Sequence, residues 1–324
     1  MRGVLMEIEA TTTEAWPELM ETLLDEPARS SRAGDMRERR TVTIRSPDPR
    51  DRYLVRDDSW NLAFQLQEHF AYWMGLNPGH VDRYVDMSKW IDDETGELPG
   101  SAYGDRLRNT AGHDQLARVE EQLRESPDSR RAVAQVHQAS VEDYDGADVS
   151  CTSHLHFFVR DGDLHLKASL RSQDVFWGYA YDAANNQYIQ EALAGRLGVG
   201  LGEYHHVMDS AHLYTRFDDD VRPALDGHRS VAAPDMRLRP DEHDEVMGLL
   251  DLGLGRARAG EVPTETINAI GAVSGPHADW LRAMTAYEQA RFHDDPSTAA
   301  AVADGMTAGG WADRARFHVE RSAD

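Results

Sequence analysis

Cysteine, lysine and long apolar runs are all scarce in this chain, and each scarcity excludes something. Cys151 is the only cysteine among 324 residues, so an intrachain disulfide and a cysteine-rich zinc or iron–sulfur site are ruled out. Lys89 and Lys167 are the only lysines among 34 basic residues, which leaves nearly all positive charge to guanidinium groups. Low lysine with abundant acid fits a GC-rich genome or a salt-adapted proteome. Against 57 acidic residues the basic ones leave a formal charge of −23. A duplex nucleic-acid binder needs a basic face, so no nucleic-acid partner is expected, although a few local arginines could still hold one nucleotide. No stretch approaches the roughly 18 apolar residues of a membrane-spanning helix. Residues 1–10 are acidic and lack the apolar centre of a signal peptide, which points to a cytoplasmic location with no membrane partner.

The composition is otherwise that of a globular protein, 40% hydrophobic and 28% charged. Residues 15–24 carry a helical pattern, and residues 29–40 read as an arginine-rich loop. Leu62, Leu66, Phe70 and Trp73 recur at helical spacing and predict an amphipathic helix that stops at Gly75 and Pro78. A turn-rich stretch, 92–105, precedes another helix at 114–125. Two apolar runs, 155–159 and 164–170, flank Arg160-Asp161-Gly162-Asp163, and Asp-Gly in that setting predicts a β-hairpin. A helix over 183–197, with Ile189, Leu193 and Leu197 on one face, ends in Gly198, Gly200 and Gly202, and a short strand follows at 204–208. Beyond Phe217 three helical patterns stand out, at 240–258, 277–293 and 310–322. The expected organisation is a catalytic core over 1–217 with a helical region, 218–324, packed on it.

Chemistry concentrates after Cys151. Arg171-Ser172-Gln173-Asp174 follows twenty residues on, then Gly178, Asp182 and finally His212-Leu213-Tyr214. This combination resembles the thymidylate synthase family, with the Cys–Arg, Arg–Asp and His–Tyr spacings matched without gaps. Upstream, Pro127-Asp128-Ser129-Arg130-Arg131 resembles the family's paired-arginine segment, and Glu94-Thr95-Gly96-Glu97-Leu98 with Ala102-Tyr103-Gly104 resembles the loop before it. Leu66-Gln67-Glu68-His69-Phe70 resembles the helix that carries a catalytic glutamate, and Ser31-Arg32-Ala33-Gly34 more loosely the mobile phosphate loop. The likeness covers about residues 30–217.

The resemblance implies an α/β (α+β) fold, a mixed sheet flanked by helices. It also implies a reaction in which a one-carbon unit from 5,10-methylenetetrahydrofolate, a co-substrate, is added to C5 of a pyrimidine nucleoside monophosphate. C5 is a poor nucleophile until a thiolate adds to C6. Cysteine suits that step because its thiolate is nucleophilic, polarizable and able to leave again. Cys151 is thus the expected nucleophile, and Arg171 is expected to lower its pKa and bind the phosphate beside Ser172, Arg32, Arg130 and Arg131. In the family the arginine pair comes from the partner subunit, which implies a homodimer with shared sites. Glu68 is expected to order water and move protons, Asp174 and Gly178 to hold the folate, and His212 and Tyr214 to bind the sugar hydroxyl. No metal is expected: His154, His156 and His165 lie on neighbouring strands, but the family needs none.

Position 182 departs from thymidylate synthases, which carry asparagine there. An amide accepts from uracil N3–H and donates to O4; cytosine presents the reverse edge, and a carboxyl with one proton matches it. Mispairing such a buried edge costs about 1–3 kcal/mol, and sites built on these bonds discriminate by roughly 10⁴. By complementarity alone, Asp182→Asn exchanges cytosine for uracil. Asp182 resembles the cytidylate and deoxycytidylate 5-hydroxymethylases of the family. Three further departures agree: Thr152 stands where histidine is usual, no tryptophan lies at 86–88 (Trp90 is nearest), and the sequence ends Arg321-Ser322-Ala323-Asp324 without the apolar residue that closes over folate. A wetter site would let water, activated by Glu68, give a hydroxymethyl group. Conversion of a cytidine monophosphate to its 5-hydroxymethyl derivative is therefore the leading expectation, a thymidylate synthase making dTMP from dUMP the alternative, and a silent nucleotide-binding homologue a third. The sequence leaves ribose against deoxyribose open.

Overall fold

The computed structural model describes residues 5–56, 60–142 and 145–322. The chain opens with β1 (Met6–Glu9), α1 (Thr12–Asp25), β2 (Met36–Ser46) and β3 (Tyr53–Arg56). Then come three helices, α2 (Leu62–Met74), α3 (Tyr103–Arg108) and α4 (Gln115–Glu125), and the strands β4 (Val133–Gln135), β5 (Thr152–Arg160), β6 (Asp163–Leu170) and β7 (Gln173–Asp174). Next are α5 (Gly178–Leu197), β8 (Gly200–Tyr214), α6 (Asp218–Gly227) and β9 (His228–Val231). The remainder is helical: α7 (Pro240–Arg258), α8 (Thr264–Val273), α9 (Gly275–Phe292), α10 (Pro296–Asp304) and α11 (Gly309–Ser322).

Seven strands form one mixed sheet in the order β1-β2-β8-β6-β5-β4, with β7 beside the end of β8. The β1–β2, β6–β8 and β7–β8 pairs are parallel and the rest antiparallel. The expected α/β fold with a mixed sheet flanked by helices is what the chain adopts. The β5–β6 hairpin turns at the expected Asp161-Gly162, both with positive φ (54° and 89°), as a two-residue turn between right-twisted strands requires. Alternate residues of these strands (Leu155, Phe157, Leu164, Leu166) are buried, with α4 packed on β5 and α5 on β6.

Several boundaries differ from the sequence reading. Residues 36–40 are strand rather than loop. β2 pairs with β8 from Met36↔Tyr214 to Ser46↔Tyr204, and its arginines find carboxylates: Arg37 bonds Asp218 and Arg39 bonds Glu26. For the same reason β8 runs on past Met208 to Tyr214, where β7 also pairs with it. α5 begins at Gly178, five residues early, so Asp182 sits in its opening turns. α2 is buried on most of its circumference rather than on one stripe, because α5, α3, α9 and α11 all pack against it. The region beyond Phe217 holds three further helices, α6, α8 and α10, each of ten residues or fewer and too short to show a clear period.

One hydrophobic core runs through residues on both sides of position 217. β9 pairs with β3, matching Tyr53 to Val231 and Arg56 to His228. Trp280 of α9 packs edge-on against His69 of α2 and Tyr188 of α5. Buried Arg314 of α11 donates to the carbonyl of Trp60, just ahead of α2. Among the described residues no helix is long and apolar enough to cross a membrane.

Candidate active site

A cavity of about 1110 Å³ opens where β5, β7, β8, α2 and α5 converge. Strand ends supply most of its polar wall. Cys151 immediately precedes β5, Arg171 and Ser172 join β6 to β7, Asp174 ends β7, and His212 and Tyr214 end β8. Gly178 and Asp182 come from the first turns of α5, Glu68 from α2, and Arg32 from the loop before β2; all ten line the cavity. Arg130 and Arg131 do not. Arg131 lines a separate small surface depression beside α4.

Cys151 is held by its surroundings. The phenol of Tyr103 accepts from the backbone N–H groups of Cys151 (3.0 Å) and Thr152 (3.4 Å). With both lone pairs of its oxygen so occupied, the hydroxyl proton of Tyr103 is left to donate elsewhere. Arg171 donates through Nε to the carbonyl of Ser150 and through Nη2 to that of Val149, each at 2.8 Å, which pins the segment leading to the thiol. Burial pushes the Cys151 thiol up to about 11, and the Arg171 charge pulls it down. The expected influence of Arg171 is therefore present in sign, but burial outweighs it.

The two acids behave as a pair. Burial pushes Glu68 up to about 8, the negative charge of Asp182 adds to this, and a bond donated by Asn185 (3.1 Å) opposes it. Burial pushes Asp182 up to about 6, against a bond that Gln173 donates to its Oδ2 at 2.9 Å. A carboxyl that changes protonation near neutral pH is equipped for acid–base work. Asp174 spends Oδ1 on the backbone N–H groups of Phe176 (2.9 Å) and Trp177 (3.2 Å), ahead of α5. Burial raises its pKa, and the neighbouring His212 pulls it down. The Nδ1 of His212 lies 3.5 Å from the Ser172 hydroxyl, and its ring meets Tyr214 edge-on.

The cavity has two characters. Arg32, Arg171 and Arg216 gather at one end, suited to an anion. The other end is largely apolar, lined by Val81, Val85, Met87 and Trp90, the kind of surface on which a flat ring system packs. Trp90 and Trp177 are both more than a third exposed there. Trp90 thus supplies an indole to this wall although no tryptophan lies at 86–88.

Sequence reasoning missed several wall residues. Arg216 followed the His212–Tyr214 motif closely enough to be found. Gln173 stood inside the motif without a role, and Tyr103 in a quoted segment. His318 of α11 also lines the cavity, with Tyr287 packed edge-on at 5.5 Å; the helical pattern of that region gave no signal that it reached the site. Among the described residues no group of three or more His, Cys, Asp or Glu side chains is placed to hold a metal ion.

Residues 54–252 match the sequence model of the thymidylate synthase family. The match runs beyond the stretch on which the motifs alone rest. A curated relative, the deoxyuridylate hydroxymethyltransferase of Bacillus phage SP01, is 29% identical over 221 residues, which is 62% of this chain. The chain spans 57% of that relative's length.

Proposed function

The chain belongs to the thymidylate synthase family, and from that premise we propose that it is a pyrimidine nucleotide C5 hydroxymethyltransferase that acts on a cytidine monophosphate with 5,10-methylenetetrahydrofolate as co-substrate. The nucleotide phosphate takes the arginine end of the cavity. The Cys151 sulfur adds to C6 and the pyrimidine becomes nucleophilic at C5. Adduct formation puts negative charge on the N3 edge, where a protonated Asp182 supplies a hydrogen bond. The folate contributes the one-carbon unit from the apolar end. Loss of the C5 proton to water and release of the folate nitrogen leave an exocyclic methylene at C5; as water adds to it Glu68 takes the water's proton, and departure of Cys151 from C6 restores the ring. Thiolate formation is costly where burial holds the thiol near 11, so the attack is best matched to a bound nucleotide with a proton acceptor close by.

What carries the cytosine preference is Asp182, a carboxyl in the cavity wall that burial pushes up to about 6, within reach of taking up a proton as the base binds. A second reading, hydroxymethylation of a uridine monophosphate, is favoured by the name of the phage relative. Product masses from CMP, dCMP, UMP and dUMP, each incubated with methylenetetrahydrofolate, decide between them. The expected result is a gain of CH₂O on a cytidine nucleotide. A methyl product from dUMP would return the enzyme to thymidylate synthesis, and unreacted substrates throughout would leave only binding.

We also infer a homodimer with shared sites. Arg130 and Arg131 lie outside their own subunit's cavity, as donation to a partner requires. On the sheet face away from α1 and α5, His154, His156 and Phe158 of β5 stand with His165 and Lys167 of β6, all only partly buried. Mixing Cys151→Ala with Arg130→Ala/Arg131→Ala subunits should restore turnover that neither has alone. Absence of complementation, with a monomer in sedimentation, would count against the dimer.

A further inference from the structure

Behind Asp182 lies a chain of buried hydrogen bonds that runs from α5 over β8 and β7 and back to α5. Asn186 Nδ2 donates to the Tyr204 hydroxyl (3.3 Å), which lies 2.6 Å from His206 Nδ1. His206 Nε2 is 3.1 Å from Gln173 Oε1, and Gln173 Nε2 donates to Asp182 Oδ2 at 2.9 Å. Asn186, Tyr204, His206 and Gln173 are each at most 2% exposed.

The direction of this chain is fixed at both ends. An amide NH₂ can only donate, so Tyr204 accepts from Asn186 and has its own proton to give to His206 Nδ1. The neutral ring then carries its proton on Nε2 and donates to Gln173 Oε1. At the far end Gln173 Nε2 also lies 3.5 Å from the carbonyl of Asp174, an atom that can only accept, so the NH₂ and not the oxygen belongs there. Gly178 makes the space: a Cβ at that position would stand 2.8 Å from Gln173 Nε2. Every donor in the line therefore points toward Asp182.

We propose that Gln173 is a positioning residue that commits Asp182 Oδ2 to accepting, and so confines the proton of Asp182 to Oδ1, the oxygen that takes no bond from the described residues. The proposal rests on the reading of Asp182 as the group that meets the base. Oδ2 keeps one lone pair for an amino donor, and Oδ1–H faces a ring acceptor. That is the N4/N3 edge of cytosine, presented in one orientation only. The consequence for position 182 runs against simple complementarity. An asparagine there would be turned by the Gln173 donor so that its oxygen takes the place of Oδ2 and its NH₂ the place of Oδ1–H. It would read the same edge as the protonated carboxyl. Exchanging the base then requires a change at 173 as well as at 182.

The test compares kcat/KM for cytidylate and uridylate in four proteins: unmodified, Asp182→Asn, Gln173→Glu/Asp182→Asn and Gln173→Met/Asp182→Asn. A carboxylate at position 173 would accept from the amide and turn it over, and a thioether there would leave it free to turn. The expected result is that Asp182→Asn alone moves the cytidylate-to-uridylate ratio by less than about tenfold, and that both double variants lower it by a further hundredfold or so. Inversion of preference by Asp182→Asn alone overturns the proposal, as do double variants that track the single one. A calorimetric titration of nucleotide binding against pH gives an independent readout if the double variants fail to fold. Asp182 faces Glu68 and Tyr72 of α2, Tyr103 of α3, Cys151, Asp174 of β7 and Tyr204 of β8. Gln173→Met leaves all of these in place; it removes the donor that favours the ionised carboxyl, together with the acceptor of the His206 proton, so the binding midpoint should rise by about one pH unit. An unmoved midpoint overturns the proposal. A preference of the unmodified protein for uridylate sinks the cytosine reading instead, and the change in ratio on altering Gln173 still decides the part played by Gln173.

Discussion

Asn185 shows how one amide can set a neighbour's chemistry. Its oxygen accepts from Gln65 Nε2 (3.0 Å) and His69 Nδ1 (2.6 Å), which leaves the NH₂ to reach Glu68 Oε2 at 3.1 Å. His69 is neutral, since burial holds its pKa well below the usual histidine value, and its Nε2 meets the Tyr53 hydroxyl at 3.1 Å. The donated bond favours ionised Glu68, whereas burial and Asp182 favour the protonated form. The kcat/KM profile should therefore carry an ionisation near 8 that vanishes in Glu68→Gln. Asn185→Ala removes the one bond that lowers this value, so the same ionisation should move to higher pH. If the profile does not move, the ionisation belongs to another group.

At the scale of elements, α5 carries Gly178 and Asp182, and its start, five residues ahead of the expected one, was not legible. The hairpin, α2 and the three longer C-terminal helices were legible because turns or apolar periods marked them: Asp161-Gly162 for the hairpin, and the spacing of Leu62, Leu66, Phe70 and Trp73 with left-handed Gly75 for α2. The start of α5 has no such mark. Gly178 is a poor helix former, and the polar run Asn185-Asn186-Gln187 hides the fact that the helix is buried nearly all round. Tertiary bonds replace the missing pattern, as when Gln190 Nε2 donates to the carbonyls of Leu164 and Gly202. The catalytic motif was legible because its residues fall close together after Cys151; the buried bonds that orient those residues follow no sequence period. Gly178 was expected to touch folate; it lines the cavity, and a Cβ there would also stand 2.8 Å from the Gln173 amide. Gly178→Ala should displace the Gln173 amide and cut kcat/KM for the nucleotide by about tenfold or more. Thermal stability should fall much less, since alanine suits a helix better than glycine. A loss of stability with unchanged specificity would assign Gly178 to packing alone.

For the whole molecule, buried neutral histidines set the response to acid. His69, His206, His243 and His277 are fully buried, and burial pushes His206 and His277 down to about 3 and the other two well below the usual value. Once unfolded they titrate near 6.5, so the unfolded chain takes up protons that the native one refuses, and stability falls as pH drops below that value. Glu68 and Asp182 act in the opposite sense, because their raised values let the native state take up protons first. With His318, also pushed down to about 3, the histidines outnumber the two acids, so stability should fall as pH drops from about 6 to 4.5. Urea unfolding at pH 8, 6.5 and 5 should place the stability maximum near 6.5; equal stability at 6.5 and 5 would contradict it. The packing of the last helices on α2 has another consequence, at the ribosome. Trp60 waits 254 residues for Arg314, and β3 must wait for β9. A nascent chain therefore carries Cys151 and Glu68 long before it carries the wall that closes around them. Fragments from interrupted translation should hold a thiol and no enzyme, so activity reports on completed synthesis.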